Sequence, residues 1–271
     1  MTGFDAWIGR SDRATDTLRP EALERLGATL GRRFDTPPPL VHWLLFQEWQ
    51  PPGSLGPDGH PARGGFLPPV LHLPRRMWAG GRIAFHAPLP VGVPLTRTRT
   101  IRAVEAKRGG TGELLFVTVE HAVASPEGPV LTELQDIVYR SAEGAGLRPA
   151  DPAPPWPDAL RREVRPDPVL LFRYSALTGN GHRIHYDHPY ATGTEGYPGL
   201  VVHGPLQATW LALLAEEAAG RPVRAFAFRG RRAAICGAPL SLLARPEGSR
   251  IQLETRDDAG CTCLSAEAET G

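Results

Sequence analysis

Two hydrophobic periods alternate along this chain, one of 3.6 residues and one of two, and their order predicts an α+β protein. Leu23, Leu26 and Leu30 recur at three- and four-residue spacing, which predicts a helix over 18–30 with Thr17 as its cap. A proline-bounded apolar stretch at 40–49 predicts a second helix. Stretches 82–87, 95–105, 114–124 and 130–140 then read as strands, with Thr and Arg alternating from Thr96 and a glycine-rich turn at 109–112 between two of them. That turn lacks the Lys and the following helix of a phosphate loop. Later, a strand is predicted at 169–174, a short one at Val201-Val202, a helix at about 205–219, and strands near 223–229, 238–245, 249–256 and 261–268.

The periodicity stops at 142–168, where five prolines fall within 145–158 and no apolar spacing repeats. This segment reads as a linker, dividing the chain into a first unit at 1–141 and a second at 169–271. Each unit runs from helix to antiparallel strands, although no residue-level repeat is visible.

Composition narrows the function classes. The 271 residues, 41% of them hydrophobic, can bury a real core. With 30 basic against 29 acidic residues, no bulk field recruits nucleic acid or an anionic membrane, and the Arg bias of the basic set fits a GC-rich genome as well as anion binding. No apolar run approaches the ~20 residues of a membrane span, and Asp5 and Arg10 interrupt the N-terminus, so a cytoplasmic location is expected. Cys236, Cys261 and Cys263 have no metal-binding spacing, and their odd number argues against a disulfide framework. Neither a Gly-x-Ser-x-Gly elbow nor a Gly-x-Gly-x-x-Gly after a strand occurs.

Chemistry concentrates in Tyr174-Ser175-Ala176-Leu177-Thr178-Gly179-Asn180-Gly181-His182-Arg183-Ile184-His185-Tyr186-Asp187, a glycine-punctuated run rich in acid/base groups. Eighteen residues after His185, His203-Gly204-Pro205 opens the predicted helix at 205–219, and such a junction presents free backbone N–H groups to an oxyanion. These two segments resemble the signature of the MaoC-like hydratases and dehydratases of acyl thioesters: Asp or Asn, four residues, His, then His-Gly opening a central helix. Here it reads Asn180 to His185, then His203-Gly204. The run is most similar to the branch of mitochondrial 3-hydroxyacyl-thioester dehydratases and bacterial mesaconyl-C4-CoA hydratases, and the segments 73–81 and 133–140 look like the N-terminal half of the same proteins. The likeness spans roughly residues 15–271.

That resemblance implies a double hotdog, each unit a central helix wrapped by a curved antiparallel sheet, with one active site in the second unit and an acyl pocket from the first. The implied activity is a hydro-lyase reaction without cofactor or metal, adding water to a 2-enoyl-CoA, foremost mesaconyl-C4-CoA or a similar short dicarboxylic enoyl-CoA. Straight-chain 3-hydroxyacyl-thioester dehydration and non-catalytic acyl-CoA binding stand as alternatives. A homodimer follows only by family analogy.

Hydration needs a base for the water that attacks C3, an acid for C2, and donors for the enolate oxygen. His185 is the expected base and the Gly204 N–H the expected oxyanion donor. Asn180 stands where Asp is commoner, and an amide orients water but transfers no proton. Either His185 then handles both protons or a carboxylate joins in, for which Glu195 is the candidate against its reading as a solvated loop acid. Arg183 has two equal readings, a bidentate contact to the free carboxylate of a dicarboxylic acyl chain or an ion pair with Asp187. Tyr186, Tyr197 and His203 complete the expected substrate contacts. The loop at 51–69, with Asp58-Gly59-His60-Pro61, reads equally as a lid or a surface loop. His182, His185 and His188 do not share one face of a helix or strand, which disfavours a metal there. Arg229, Arg231 and Arg232 would meet the CoA phosphates or sit at an exposed strand end.

Overall fold

The computed structural model describes residues 3–109, 112–141 and 150–271. Its elements are β1 (Ser11–Thr17), α1 (Pro20–Leu30), β2 (Arg75–Phe85), β3 (Pro94–Gly109), β4 (Gly112–Ser125), β5 (Gly128–Arg140), β6 (Leu160–Val164), α2 (Pro168–Thr178), α3 (Gly204–Ala219), β7 (Val223–Gly230), β8 (Leu240–Glu247), β9 (Arg250–Arg256) and β10 (Thr262–Thr270). All ten strands join one antiparallel sheet in the order β1-β3-β4-β5-β2-β7-β10-β9-β8-β6. Strands β1 to β5 are ordered 1-3-4-5-2 and strands β6 to β10 repeat that permutation from the other edge, so two equivalent units meet where β2 pairs with β7.

The second unit is organised by α3. Leu206, Ala208, Leu211, Ala212 and Ala215 are fully buried, so this helix is apolar around most of its circumference and lies within the wrap of β7, β8, β9 and β10. In the first unit α1 is shorter. Its Leu23 and Leu26 join Leu95, Val123 and Leu131 in the same core, and its outer side packs on α2. A second apolar cluster, with Ile101, Val117, Val119 and Tyr139, is covered by Val70 and Leu73 from the long loop that leads into β2.

Several expected elements differ. The apolar run at 169–174 belongs to α2, because Asp167 caps that helix by accepting from Leu170 N at 2.8 Å and Pro168 occupies its first turn. The helix expected at 40–49 is only a 3-10 turn at Val41–Leu44, bracketed by left-handed backbone at Leu40 and Phe46. Thr17 lies in β1, and α1 starts without a side-chain cap behind Arg19. Val201 makes one bridge, to Ile235, in place of a strand. The linker expected at 142–168 ends early, since Leu160–Val164 pairs with β8 and belongs to the second set of strands. Gly109 pairs with Gly112, and the rest of the expected turn lies outside the described residues. Cys261 and Cys263 are buried and unpaired.

Candidate active site

The signature segment folds as a chain of short turns. Helix α2 ends at Gly179, which takes a left-handed φ of 62°. Asn180 then turns the chain by accepting from His182 N at 3.0 Å through its side-chain oxygen, and Arg183–His185 forms a 3-10 turn. His185 is thereby buried, with Nδ1 2.7 Å from the Val201 carbonyl. A carbonyl only accepts, so Nδ1 carries the proton and Nε2 keeps its lone pair. Burial, with the neighbouring His182 ring second, lowers the His185 pKa to about 3. The ring is therefore neutral at ordinary pH, as a base must be.

His203 caps α3 and stacks on His185 with ring centroids 3.7 Å apart. Its Nε2 meets the Ser175 hydroxyl at 2.8 Å, while Nδ1 is buried without a partner among the described residues. Burial and then His185 hold its pKa well below the usual histidine range. Gly204 and Pro205 begin α3, whose first-turn N–H groups have no intrahelical acceptor. A Cβ placed on Gly204 would meet nothing within 4 Å, and Gly204 lines the cleft. Gln207, one turn on, is buried with its carbonyl oxygen 2.7 Å from the Thr255 hydroxyl and also lines the cleft. The sequence reading missed it, and a polar residue inside an otherwise apolar helix was the available signal.

The cleft measures about 2840 Å³, draws its walls from both units, and includes Asn180, His182, His185, Gly204, Tyr186, Glu195 and Tyr197. This exceeds a pocket for a small acid and leaves room for a CoA-sized ligand. Tyr186 is half-exposed, with its hydroxyl donating to Gly181 O at 3.0 Å. Tyr197 is buried, which raises its pKa.

Three expectations change: His203, expected to touch substrate, is fully buried outside the cleft lining and packs on His185 instead. Glu195 is no solvated loop acid: it pairs with Arg75 at 3.0 Å and accepts from the Tyr190 hydroxyl at 3.3 Å. Arg183 pairs with Asp187 at 2.7 Å, donates to Pro57 O at 2.9 Å and covers the Tyr190 ring, so its guanidinium is already engaged. The loop at 51–69 is likewise docked, with Asp58 O accepting from Arg183 N at 2.9 Å. Among the described residues one group has metal-ligand proximity, and it differs from the histidine triplet weighed above: Asp58, His60 and His182 offer atoms within 4.8 Å of one another. Arg232 is tied to Asp257 at 3.2 Å, Arg231 donates to Ser265, and Arg229 stands exposed on β7 at the cleft wall.

A buried neutral imidazole beside a helix N-terminus, in a cleft between two sheet-wrapped units, defines the MaoC-like hydratases and dehydratases of the hotdog fold. A MaoC-like dehydratase superposes with a TM-score of 0.75 at 16% identity, over 98% of this chain and 99% of that one. A Mycobacterium tuberculosis protein described as having a double hotdog fold superposes with a TM-score of 0.58 at 13% identity, over 97% and 96%. The sequence profile of the hydroxyacyl-thioester dehydratase type 2 family matches residues 40–236. The chain belongs to that family and is a hydro-lyase. It is 48% identical to the mesaconyl-C(4)-CoA hydratase of Chloroflexus aurantiacus over 98% of this chain and 97% of that one. The mitochondrial hydroxyacyl-thioester dehydratase type 2 of Schizosaccharomyces pombe is 27% identical over 67% of each.

Proposed function

We propose that this enzyme adds water across a short dicarboxylic 2-enoyl-CoA, with mesaconyl-C4-CoA as the substrate to which it is matched. The observation that carries the chemistry is the fixed tautomer of His185: with Nδ1 on the Val201 carbonyl, Nε2 faces the cleft as a base. His185 takes a proton from water as its oxygen bonds to C3, the electrons of the double bond move to the thioester oxygen, and the Gly204 N–H stabilises the developing charge. Asn180, whose oxygen serves the turn, has its amide N–H groups to orient that water.

The substrate assignment draws on the Chloroflexus relative and on the charge of the cleft wall. Arg75 is neutralised by Glu195 and Arg183 by Asp187, whereas Arg76, which lines the cleft with Arg75, has no carboxylate within ion-pair distance among the described residues, and its partners are Pro61 O at 3.3 Å and the Tyr139 hydroxyl. Arg76 thus takes over from Arg183 the role of receiving a free carboxylate. A homodimer, through the open edges of β1 and β6, and a cytoplasmic location belong to the same reading; among the described residues no helix is long and apolar enough to cross a membrane.

The test is the loss of enoyl-thioester ultraviolet absorbance when purified protein meets mesaconyl-C4-CoA, itaconyl-CoA and crotonyl-CoA in parallel, with His185→Ala as control. Turnover confined to a dicarboxylic substrate supports the assignment. Preference for crotonyl-CoA moves the enzyme to straight-chain acyl thioesters, and no turnover by the wild type refutes hydration.

A further inference from the structure

Asn180 leaves the signature without a second proton-transfer group, and the fold brings one in from the other unit. We propose that the Asp58–His60 pair, carried by the loop at 51–69, is the second acid/base group of this site and protonates C2 while His185 deprotonates water. The proposal rests on the hydration reading above.

The geometry begins with the grip of Asp58 on His60. One carboxylate oxygen lies 3.0 Å from His60 Nδ1 and the other accepts from His60 N at 3.1 Å. Nδ1 therefore holds a proton for the carboxylate, and Nε2 is the nitrogen left for exchange. The His60 ring lies 4.3 Å from the His182 ring, which stands edge-on to His185 at 5.5 Å, and all three line the cleft. The loop is held there by backbone contact. Gly59 has φ +86°, and a Cβ on it would come within 2.0 Å of Gly181 O. Only two glycines allow this approach, which Arg183 secures from its N–H to Asp58 O and from its guanidinium to Pro57 O.

The charges agree with this arrangement. Burial by itself would raise the Asp58 pKa, but the hydrogen bonds and charge of His60 outweigh it and hold the carboxyl well below its usual range. A fixed negative charge therefore faces the histidine rings, in a site whose own signature segment contributes none to His185. The other titratable and charged groups around the pair are His182 and His185 on the signature segment, Arg76 on β2, and Arg63 and Tyr190 facing Asp58. Both Asp58 oxygens are committed to His60, so the carboxylate orients a ring, and ligation of a metal by all three groups would break that pair.

Water loses one proton to His185 Nε2 as its oxygen bonds to C3, the double-bond electrons form the enolate, and the enolate returns them to form a C2–H bond with the proton from His60 Nε2. His185 then releases its proton to solvent and His60 takes one back from solvent, restoring the starting state.

The experiment compares wild type, His60→Gln and Asp58→Asn in the full chain, on whichever enoyl-CoA the wild type hydrates. It records kcat, KM, the pH profile, the melting temperature, and exchange of solvent deuterium into C2 of the hydrated product. His60→Gln is expected to lose about 10²- to 10⁴-fold in kcat with little change in KM and to slow C2 exchange by a similar factor. Asp58→Asn should lose less, on the order of 10-fold in kcat and in C2 exchange, because the amide no longer fixes the tautomer and orientation of the His60 ring. A His60→Gln protein that melts normally and retains kcat within about threefold overturns the proposal, as does a loss of kcat with C2 exchange intact. If His60→Gln fails to fold, unchanged kcat and C2 exchange in Asp58→Asn overturn it. One equivalent of bound zinc or iron in the purified protein, with activity lost on chelation, reassigns the three groups to a metal and also overturns it. Wild type that hydrates no enoyl-CoA sinks the hydration reading and this step together, whereas active wild type with normal His60→Gln sinks this step alone.

Discussion

His185 and His203 lie face to face, ring centroids 3.7 Å apart and planes 18° from parallel, and each is tethered at its edge to a different element. Val201 O holds His185 and the Ser175 hydroxyl of α2 holds His203. The stack joins the base to the start of α3, so it sets the distance between water activation and the oxyanion donor. Replacing His185 by Ala should lower kcat by about 10²- to 10⁴-fold. His203→Leu keeps most of the volume but loses the Ser175 bond, and a kcat loss of roughly 10- to 100-fold with a folded protein is expected from the misplaced base. Steady-state kinetics beside melting curves distinguish the two; an unaffected His203→Leu enzyme would show that the stack positions nothing.

The same burial makes stability depend on acidity. His185 titrates at about 6.5 in the unfolded chain and at about 3 in the fold, so between those values the unfolded chain binds more protons. Stability is then complete above about pH 6.5 and falls as pH drops toward 3, by roughly 2 kcal/mol at pH 5 for this one group. His182, also lowered to about 3 by burial and His60, acts in the same direction, as does His203. Melting temperature should decline steadily from pH 7 to 4, and the slope should be shallower in His185→Gln.

Gly204 offers a separate test of the oxyanion donor. Because a Cβ there meets open cleft, Gly204→Ala should fold with an unchanged melting temperature. Its methyl group would occupy space over the N–H, and a kcat reduction on the order of 10- to 100-fold is expected. A fully active variant would mean that the thioester oxygen sits elsewhere.

Arg76, which lines the cleft, and Arg183, which holds the 51–69 loop, should separate by function. Arg76→Met is expected to raise KM for a dicarboxylic enoyl-CoA by about 10- to 100-fold while sparing crotonyl-CoA, because crotonyl-CoA has no free carboxylate for Arg76 to receive. Arg183→Met should impair both substrates equally, since it releases Pro57 and Asp187 and loosens the docked loop. Identical substrate profiles in the two variants would count against Arg76 as the selector.

Gly59 and Gly181 touch although they lie 122 positions apart in the chain, and this contact shows where sequence reading stops. The local run from Asn180 to His185 and the His203-Gly204 junction were legible because their residues are neighbours in sequence and their turns are made by nearby backbone. Most strands were legible too, since alternation with one buried face is a local pattern. Strand β1 was missed because its polar residues form an exposed edge, and β6 because it is five residues long beside a proline-rich stretch. Helix α2 was misread although Asp167-Pro168 carried its capping signal, because an apolar run alone does not separate a strand from a buried helix.

By itself the sequence determined the fold class, the hydratase signature and the absence of a titratable group at Asn180. Only the tertiary structure decided that His185 presents Nε2, that Arg183 and Glu195 are already paired, and that Asp58 and His60 face the signature. The tautomer needed the Val201 carbonyl, the pairs needed Asp187 and Arg75, and the Asp58 loop needed the close approach of two glycines. Each is a contact whose partner is chosen by how the sheet closes, which no local pattern encodes.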